Sequence, residues 1–265
     1  MDSLKEAKKL IEGAKNVYIL PGTDNQNENI SNSLALFYTL KKLNKNVNLV
    51  VEEIPEKLHF LIPSLNFLSY PKDFVISVPA KTSEISQVRY DKTENELKIY
   101  LTLDKGNIKK NDISFSFFSC KPDLLITIGF GELKDVSGLC HEDKKFLDDV
   151  TILNIDNRAG NKQFGKVNII KSGSLSELVF NLIKSIDENL FDKNIANCLL
   201  TGLIIFSESF LNIKTSSETF ETAAFLIKKG ASYQETIQYL HKPGFLPSSG
   251  PDLNFIKNKI FEILK

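Results

Sequence analysis

The chain has no tryptophan, one methionine and three histidines in 265 residues. With imidazole so scarce, any histidine-based centre has to use His59, His141 or His241. None of them stands in a Ser–His–Asp or Cys–His pattern that reads as a nucleophile and its base. His59 reads as part of a surface or interface helix, and His241 lies in an exposed Lys-Pro-Gly loop. His141, beside Cys140, Glu142 and Asp143, reads as a polar helix start more than a metal cluster. The three cysteines, Cys120, Cys140 and Cys198, are far apart and form no CxxC pair. That excludes a disulfide framework and fits reduced thiols in a cytoplasmic protein. No segment reaches the ~18 apolar residues that span a bilayer. The first residues read as a helix start, not a signal peptide. Charge of one sign is also missing: Lys plus Arg and Asp plus Glu are 33 each. A non-specific nucleic-acid binder is normally basic, so bulk charge gives no nucleic-acid signal.

What is present is an alternation of short apolar strands and amphipathic helices. Residues 3–13 read as a helix, 16–20 as a buried strand, 30–42 as a helix and 46–51 as a strand. This is the repeating unit of a parallel α/β sheet. Strand candidates follow at 74–78, 123–128, 150–155 and 167–170. Helices are predicted at 175–186, 194–206, 217–229, 233–239 and 253–264, with Pro- and Ser-rich residues 243–251 as a loop. Ser174, with Glu177 three residues on, reads as a helix cap. The stretch from 80 to 118 has a different pattern. Leu97, Ile99, Leu101 and Leu103 alternate, and residues 91–95 make a polar turn, which predicts an antiparallel β insertion. Gly129-Phe130-Gly131 follows a buried strand but lacks a full phosphate-binding fingerprint, so it reads as a tight turn.

Several segments in this order resemble the DHH (Asp-His-His) phosphoesterases, the group containing oligoribonuclease/pAp-phosphatase and the RecJ-like exonucleases. Asn154-Ile155-Asp156 matches the start of the family's central motif. Asn157 and Arg158 then stand where that motif has its two histidines. Asn161, Phe164, Gly165 and Glu177 fit the sequence that follows. Residues 123–128 match a buried strand that the family ends with an aspartate, and here Gly129 takes that position. Ser33-Leu34-Ala35-Leu36 loosely matches the first motif, whose two metal-binding aspartates fall on Gln26 and Glu28, with Asp24 as a stand-in; its histidine falls near Gly22. Thr201-Gly202-Leu203 and Phe210 match a fourth region whose ligand aspartate is replaced by Phe206. Thr215, Thr219, Ala223 and Lys229-Gly230-Ala231 continue the likeness.

The resemblance implies an α/β fold with a largely parallel sheet flanked by helices. It implies a DHH-like domain over 1–240 with the insertion at about 80–118. Residues 241–265 would begin a second, substrate-holding domain, which the protein either lacks or carries in a longer chain of which this is a piece. It also implies manganese-dependent hydrolysis, for which carboxylates must converge on a metal pair. The replacements speak against that chemistry. Gly129 and Phe206 offer no ligand, Asn157 is a poor imidazole substitute, and Arg158 puts a fixed positive charge where a cation would sit. No cofactor is therefore expected; a divalent ion, if held at all, would use Asp156, Glu28 and Asp24.

Arg158 leaves three readings open. It can pair internally with Asp156 or Glu28 in a structural subunit. It can grip a small anionic or nucleotide-like ligand, with Asn157 and Ser33 beside it. Or a reduced metal site can still hydrolyse short oligonucleotides or nucleotide phosphates. The insertion's apolar face needs a cover, which makes a homodimer or a protein partner an expectation as well. No membrane partner is expected.

Overall fold

The structure is a computed structural model and describes residues 2–51, 53–62, 73–78, 83–94, 96–109, 112–118, 122–139 and 146–240. His141, His241, Cys120, Cys140 and the predicted helix at 253–264 lie outside them. The chain forms two compact units, one of them Pro71–Cys120 and the other made of the flanking segments.

The larger unit is built on a five-stranded parallel sheet in the order β2-β1-β7-β8-β9. The strands are β1 (Asn16–Pro21), β2 (Asn46–Leu49), β7 (Leu124–Ile128), β8 (Thr151–Asp156) and β9 (Val167–Ile170). Period-two alternation sends their side chains to opposite faces. Val17, Ile19, Leu124, Ile126, Ile128, Leu153 and Ile155 join the main core. There they meet α1 (Asp2–Gly13), α2 (Gln26–Lys42), α5 (Leu175–Ile186), α6 (Lys193–Phe206) and α7 (Ser217–Lys228). Leu20, Leu125 and Ile152 join a smaller cluster on the other face, with Val136 of α3 (Leu133–Leu139) and Leu147 of α4 (Phe146–Asp149). Helix α8 (Tyr233–Leu240) completes the described helices. The predicted α/β architecture is observed. Among the described residues no helix is long and apolar enough to cross a membrane.

Polar residues cap the helices much as the sequence suggests. Ser174 accepts a hydrogen bond from Ser176 N at 3.1 Å at the start of α5. Glu177 makes a backbone hydrogen bond with Ser174, and its carboxylate also accepts from Thr219 Oγ1 at 2.7 Å, tying α5 to the first turn of α7. Burial raises the Glu177 carboxyl above its ordinary pKa. Helix α2 starts at Gln26, four residues before the apolar periodicity becomes visible at Ile30. The cause is Asn25, which enters the helix in a left-handed conformation with no side-chain cap. Asp123 is not part of β7; its carboxylate accepts from Lys15 N and Asn16 N at 2.8 Å each, which lowers its pKa.

The smaller unit is antiparallel. It contains β3 (Asp73–Ser77) paired with β6 (Ser114–Phe118), and β4 (Ser83–Lys92) paired with β5 (Leu97–Gly106). The strand expected at 74–78 as part of the parallel sheet therefore belongs to the insertion. Its apolar run is equally compatible with either sheet. The insertion begins earlier than residue 80 for the same reason.

Candidate functional site: an arginine-centred crevice

In a sheet of this order the chain leaves β1 for β2 on one side and for β7 on the other. The crevice at the carboxyl ends of β1 and β7 is where open α/β sheets place ligands. Here the strand ends are stitched together: Gly22 N donates to Ile128 O at 2.7 Å, and Gly129 N donates to Ile155 O at 2.9 Å. Gly129 has φ +74°, and a Cβ on it would lie 2.5 Å from the Asn29 carboxamide. Asn29 occupies that space because its Nδ2 donates to Gly22 O at 2.9 Å and also to Asp24 O. The space that a side chain at 129 would take is thus filled by Asn29.

Asp156 ends β8 on the second face of the sheet and is fully buried. Arg158 Nε lies 3.1 Å from both Asp156 oxygens. Asn161 Nδ2 donates to Asp156 Oδ2 at 2.7 Å and to Phe130 O at 2.7 Å. Behind it, Thr127 donates to Asn154 Oδ1 at 3.1 Å, and Asn154 Nδ2 donates to Asn161 Oδ1 at 3.1 Å. Every step of this chain is polar and mostly buried, so its members fix one another. The Arg158 guanidinium then reaches forward. Its Nη2 donates to Gly129 O, and its Nη1 is 3.4 Å from Asp24 Oδ2. The Arg158 guanidinium also passes over Gly131, where a Cβ would meet its Cζ at 3.6 Å, an ordinary contact distance.

Beside this network opens a crevice of about 580 Å³. Asn25, Asn27, Glu28, Asn157, Arg158, Ser172, Gly173, Phe206, Glu208, Asn212 and Lys214 line it. Asn157 is held by donating to Gly173 O at 2.8 Å. Glu28 is buried, with Oε1 accepting from Leu175 N at 3.2 Å; desolvation nevertheless raises its carboxyl from 4.5 to about 7. Lys214, Asn212 and Glu208 reach the crevice through an unusual turn. Glu208, Ser209 and Phe210 follow α6 with φ of 48°, 61° and 68°. Three consecutive left-handed residues that are not glycine cost about 1–2 kcal/mol each. Ser207 secures the turn: its Oγ accepts from Phe210 N at 3.0 Å, and its carbonyl accepts from Asn212 N at 2.9 Å. The Phe210 ring also stacks on Phe220 with centroids 5.3 Å apart.

The structure sorts the sequence candidates. Glu28, Asn157, Arg158 and Phe206 meet in the crevice, and Asp24, Gly129 and Asp156 touch it through Arg158. Gln26 faces a neighbouring cavity of about 350 Å³ with Gly22, Ile30 and Val51. Ser33, expected beside a ligand, is fully buried within α2 and is not part of the crevice wall. Helix α2 is buried on every side from Glu28 to Leu40, so a serine at 33 is enclosed whichever way it faces. The sequence reading missed Asn29, Asn27 and the Lys214 turn. Only Asn161 carried a signal, as a polar residue just beyond Asp156.

The donor set does not suit a divalent pair. Both Asp156 oxygens already receive N–H donors, and Glu28 is inclined to keep its proton. The Asp24 side chain is 81% exposed and is engaged by Arg158. Among the described residues, no three His, Cys, Asp or Glu side chains are grouped to hold a metal ion.

No family model matches this chain, and no curated protein matches it. Among solved structures it is similar to the crystal structure of an exopolyphosphatase-related protein from Bacteroides fragilis. The TM-score is 0.64 at 18% identity, over 91% of this chain and 60% of that one. At that identity the likeness is one of fold. It supports an α/β topology with a parallel sheet flanked by helices and carrying an antiparallel insertion. This chain spans 60% of the length of that protein.

Proposed function

We propose that the crevice binds a small anionic ligand and does not catalyse metal-dependent hydrolysis. The observation that carries this reading is the state of Arg158. A guanidinium has five N–H donors. Nε, one N–H of Nη1 and one of Nη2 are used on Asp156, Asp24 and Gly129 O, which leaves two. The side chain is fixed by these bonds, yet 40% of it is exposed, at the wall of an open crevice. A fixed, partly exposed arginine with donors to spare is suited to a phosphate or carboxylate group.

In the rest of the lining Lys214 supplies a second positive charge and Glu208 a negative one, and burial inclines Glu28 to keep its proton. Asn27 Oδ1 is buried without a hydrogen-bond partner, which favours a ligand that also carries a hydroxyl or amine donor. A nucleotide-like molecule meets all these conditions. So does a sugar phosphate.

The test is calorimetry with inorganic phosphate, pyrophosphate and nucleoside monophosphates. A manganese titration and a short-RNA hydrolysis assay accompany it. Saturable anion binding that weakens at least tenfold in Arg158→Met, with no turnover, is the expected result. Manganese uptake with turnover that collapses in Asp156→Asn would make the protein a hydrolase. Absence of any anion binding would leave the Arg158 network a structural feature.

A further inference from the structure

The β4–β5 hairpin carries an apolar face that is largely exposed among the described residues, and the register shows how that face is assembled. Val88 pairs with Leu101, Tyr90 with Ile99, and Ile85 with Leu103. Directly paired residues share a face, and residues two apart along a strand share it too. Ile85 and Val88 are three apart and would fall on opposite faces. A β-bulge at Ser86 corrects the parity, and Ser86 Oγ donates to Thr102 O at 3.2 Å. Ile85, Val88, Tyr90, Leu97, Ile99, Leu101 and Leu103 therefore line one side. The opposite side carries Gln87, Arg89, Asp91, Lys98 and Thr102, with the Arg89 guanidinium 5.5 Å from the Tyr100 ring centroid. That side is complete in itself. On the apolar side Val88 is 63% exposed, Tyr90 72% and Leu97 59%.

We infer that this face is the contact between two copies of the chain, packed face to face. An isolated two-stranded hairpin is marginal in water and gains stability when its apolar face is covered. Pairing through the outer edge of β4 is disfavoured, because the irregularities at residues 84–87 interrupt the flat edge that strand addition needs. Pairing through the face is favoured by area. Ile85, Val88, Tyr90, Leu97 and Ile99 expose on the order of 400 Å² of apolar surface. A twofold pair doubles that to about 800 Å², and backbone and rim bring it near the ~1,000 Å² of a specific but dissociable interface. Lys92, opposite Leu97 at the turn end, shares this face with the apolar residues, and two hairpins running antiparallel keep the two copies of Lys92 at opposite ends of the contact.

Sedimentation velocity on the full chain from about 1 to 100 µM tests this, the range suiting a dissociable interface of this size. The expected result is a concentration-dependent rise from 29.9 kDa towards twice that mass. The variant Val88→Lys with Tyr90→Lys should stay monomeric throughout. Gln87→Lys, on the other face of the same strand, should dimerise like the parent. A parent chain that is monomeric at 100 µM overturns the inference, whether the face is covered by its own chain or by a different protein. A dimer that survives the double lysine variant overturns it too. If the double variant fails to fold, Ile99→Lys takes its place with the same expected loss.

Discussion

The proton on Glu28 has a measurable consequence for stability. Its carboxyl rises from 4.5 to about 7 because burial removes water, and the single backbone donor from Leu175 only partly offsets that loss. Between these two pH values the folded chain holds a proton that the unfolded chain has released. Stability changes with pH in proportion to protons bound by the unfolded state minus those bound by the folded state. The difference is negative here, so this group's contribution falls as pH rises. It is fully present below about pH 4.5 and lost above about 7. At ~1.4 kcal/mol per pH unit across that window the loss is about 3 kcal/mol. Glu28→Gln keeps an acceptor for Leu175 N and cannot ionise. Urea unfolding of parent and variant at pH 5 and pH 8 isolates the effect from all other carboxylates. The variant should gain about 2–3 kcal/mol relative to the parent between the two pH values. A difference that does not change with pH refutes the reasoning, because Glu28 would then ionise as readily folded as unfolded.

Three further outcomes follow from the packing. Asp156→Asn should cost about 1–3 kcal/mol in denaturant titrations, because a carboxamide cannot accept all the N–H donors that Arg158 and Asn161 direct at this fully buried carboxylate. Gly202→Ala should destabilise by about 1–3 kcal/mol, since a Cβ there would lie 2.5 Å from Ser176 Oγ and 3.0 Å from Asn32 Nδ2. Ser176 Oγ is buried without a partner, so Ser176→Ala should cost little alone and recover most of that loss in the double variant, read by thermal melting. Gly129→Ala should cost about 1–3 kcal/mol through its positive φ and the Asn29 contact, and Asn29→Gly should relieve the contact but not the backbone strain.

The sheet was legible in the sequence because its strands are buried on both faces and read as continuous apolar runs, as in Leu124–Ile128. The strand at Asp73–Ser77 was assigned to the wrong sheet for the same physical reason. A short apolar run does not encode its partner, and only the pairing of Asp73 with Phe118 and Ser77 with Ser114 does. Asp156 and Arg158 were legible as neighbours, two residues apart at the end of a strand. Lys214 was not. It reaches the crevice through three left-handed residues, Glu208, Ser209 and Phe210, and none of these is the glycine that usually announces such a turn. Asn29 was missed because a carboxamide in the first turn of a helix reads as solvent-facing, whereas here it donates inward to Gly22 O.

The residues at this wall pack around the Arg158 guanidinium. A buried carboxylate oxygen without a donor costs free energy, and Asp156 avoids that cost, since Arg158 covers both oxygens and Asn161 one of them. The space beside Gly129 is filled by Asn29, and the Gly129 carbonyl is itself an acceptor for Arg158. An aspartate placed at 129 would therefore collide with Asn29. A histidine placed at 158 would take from Asp156 its charged partner. Each substitution alone should destabilise, because these side chains fix one another's positions.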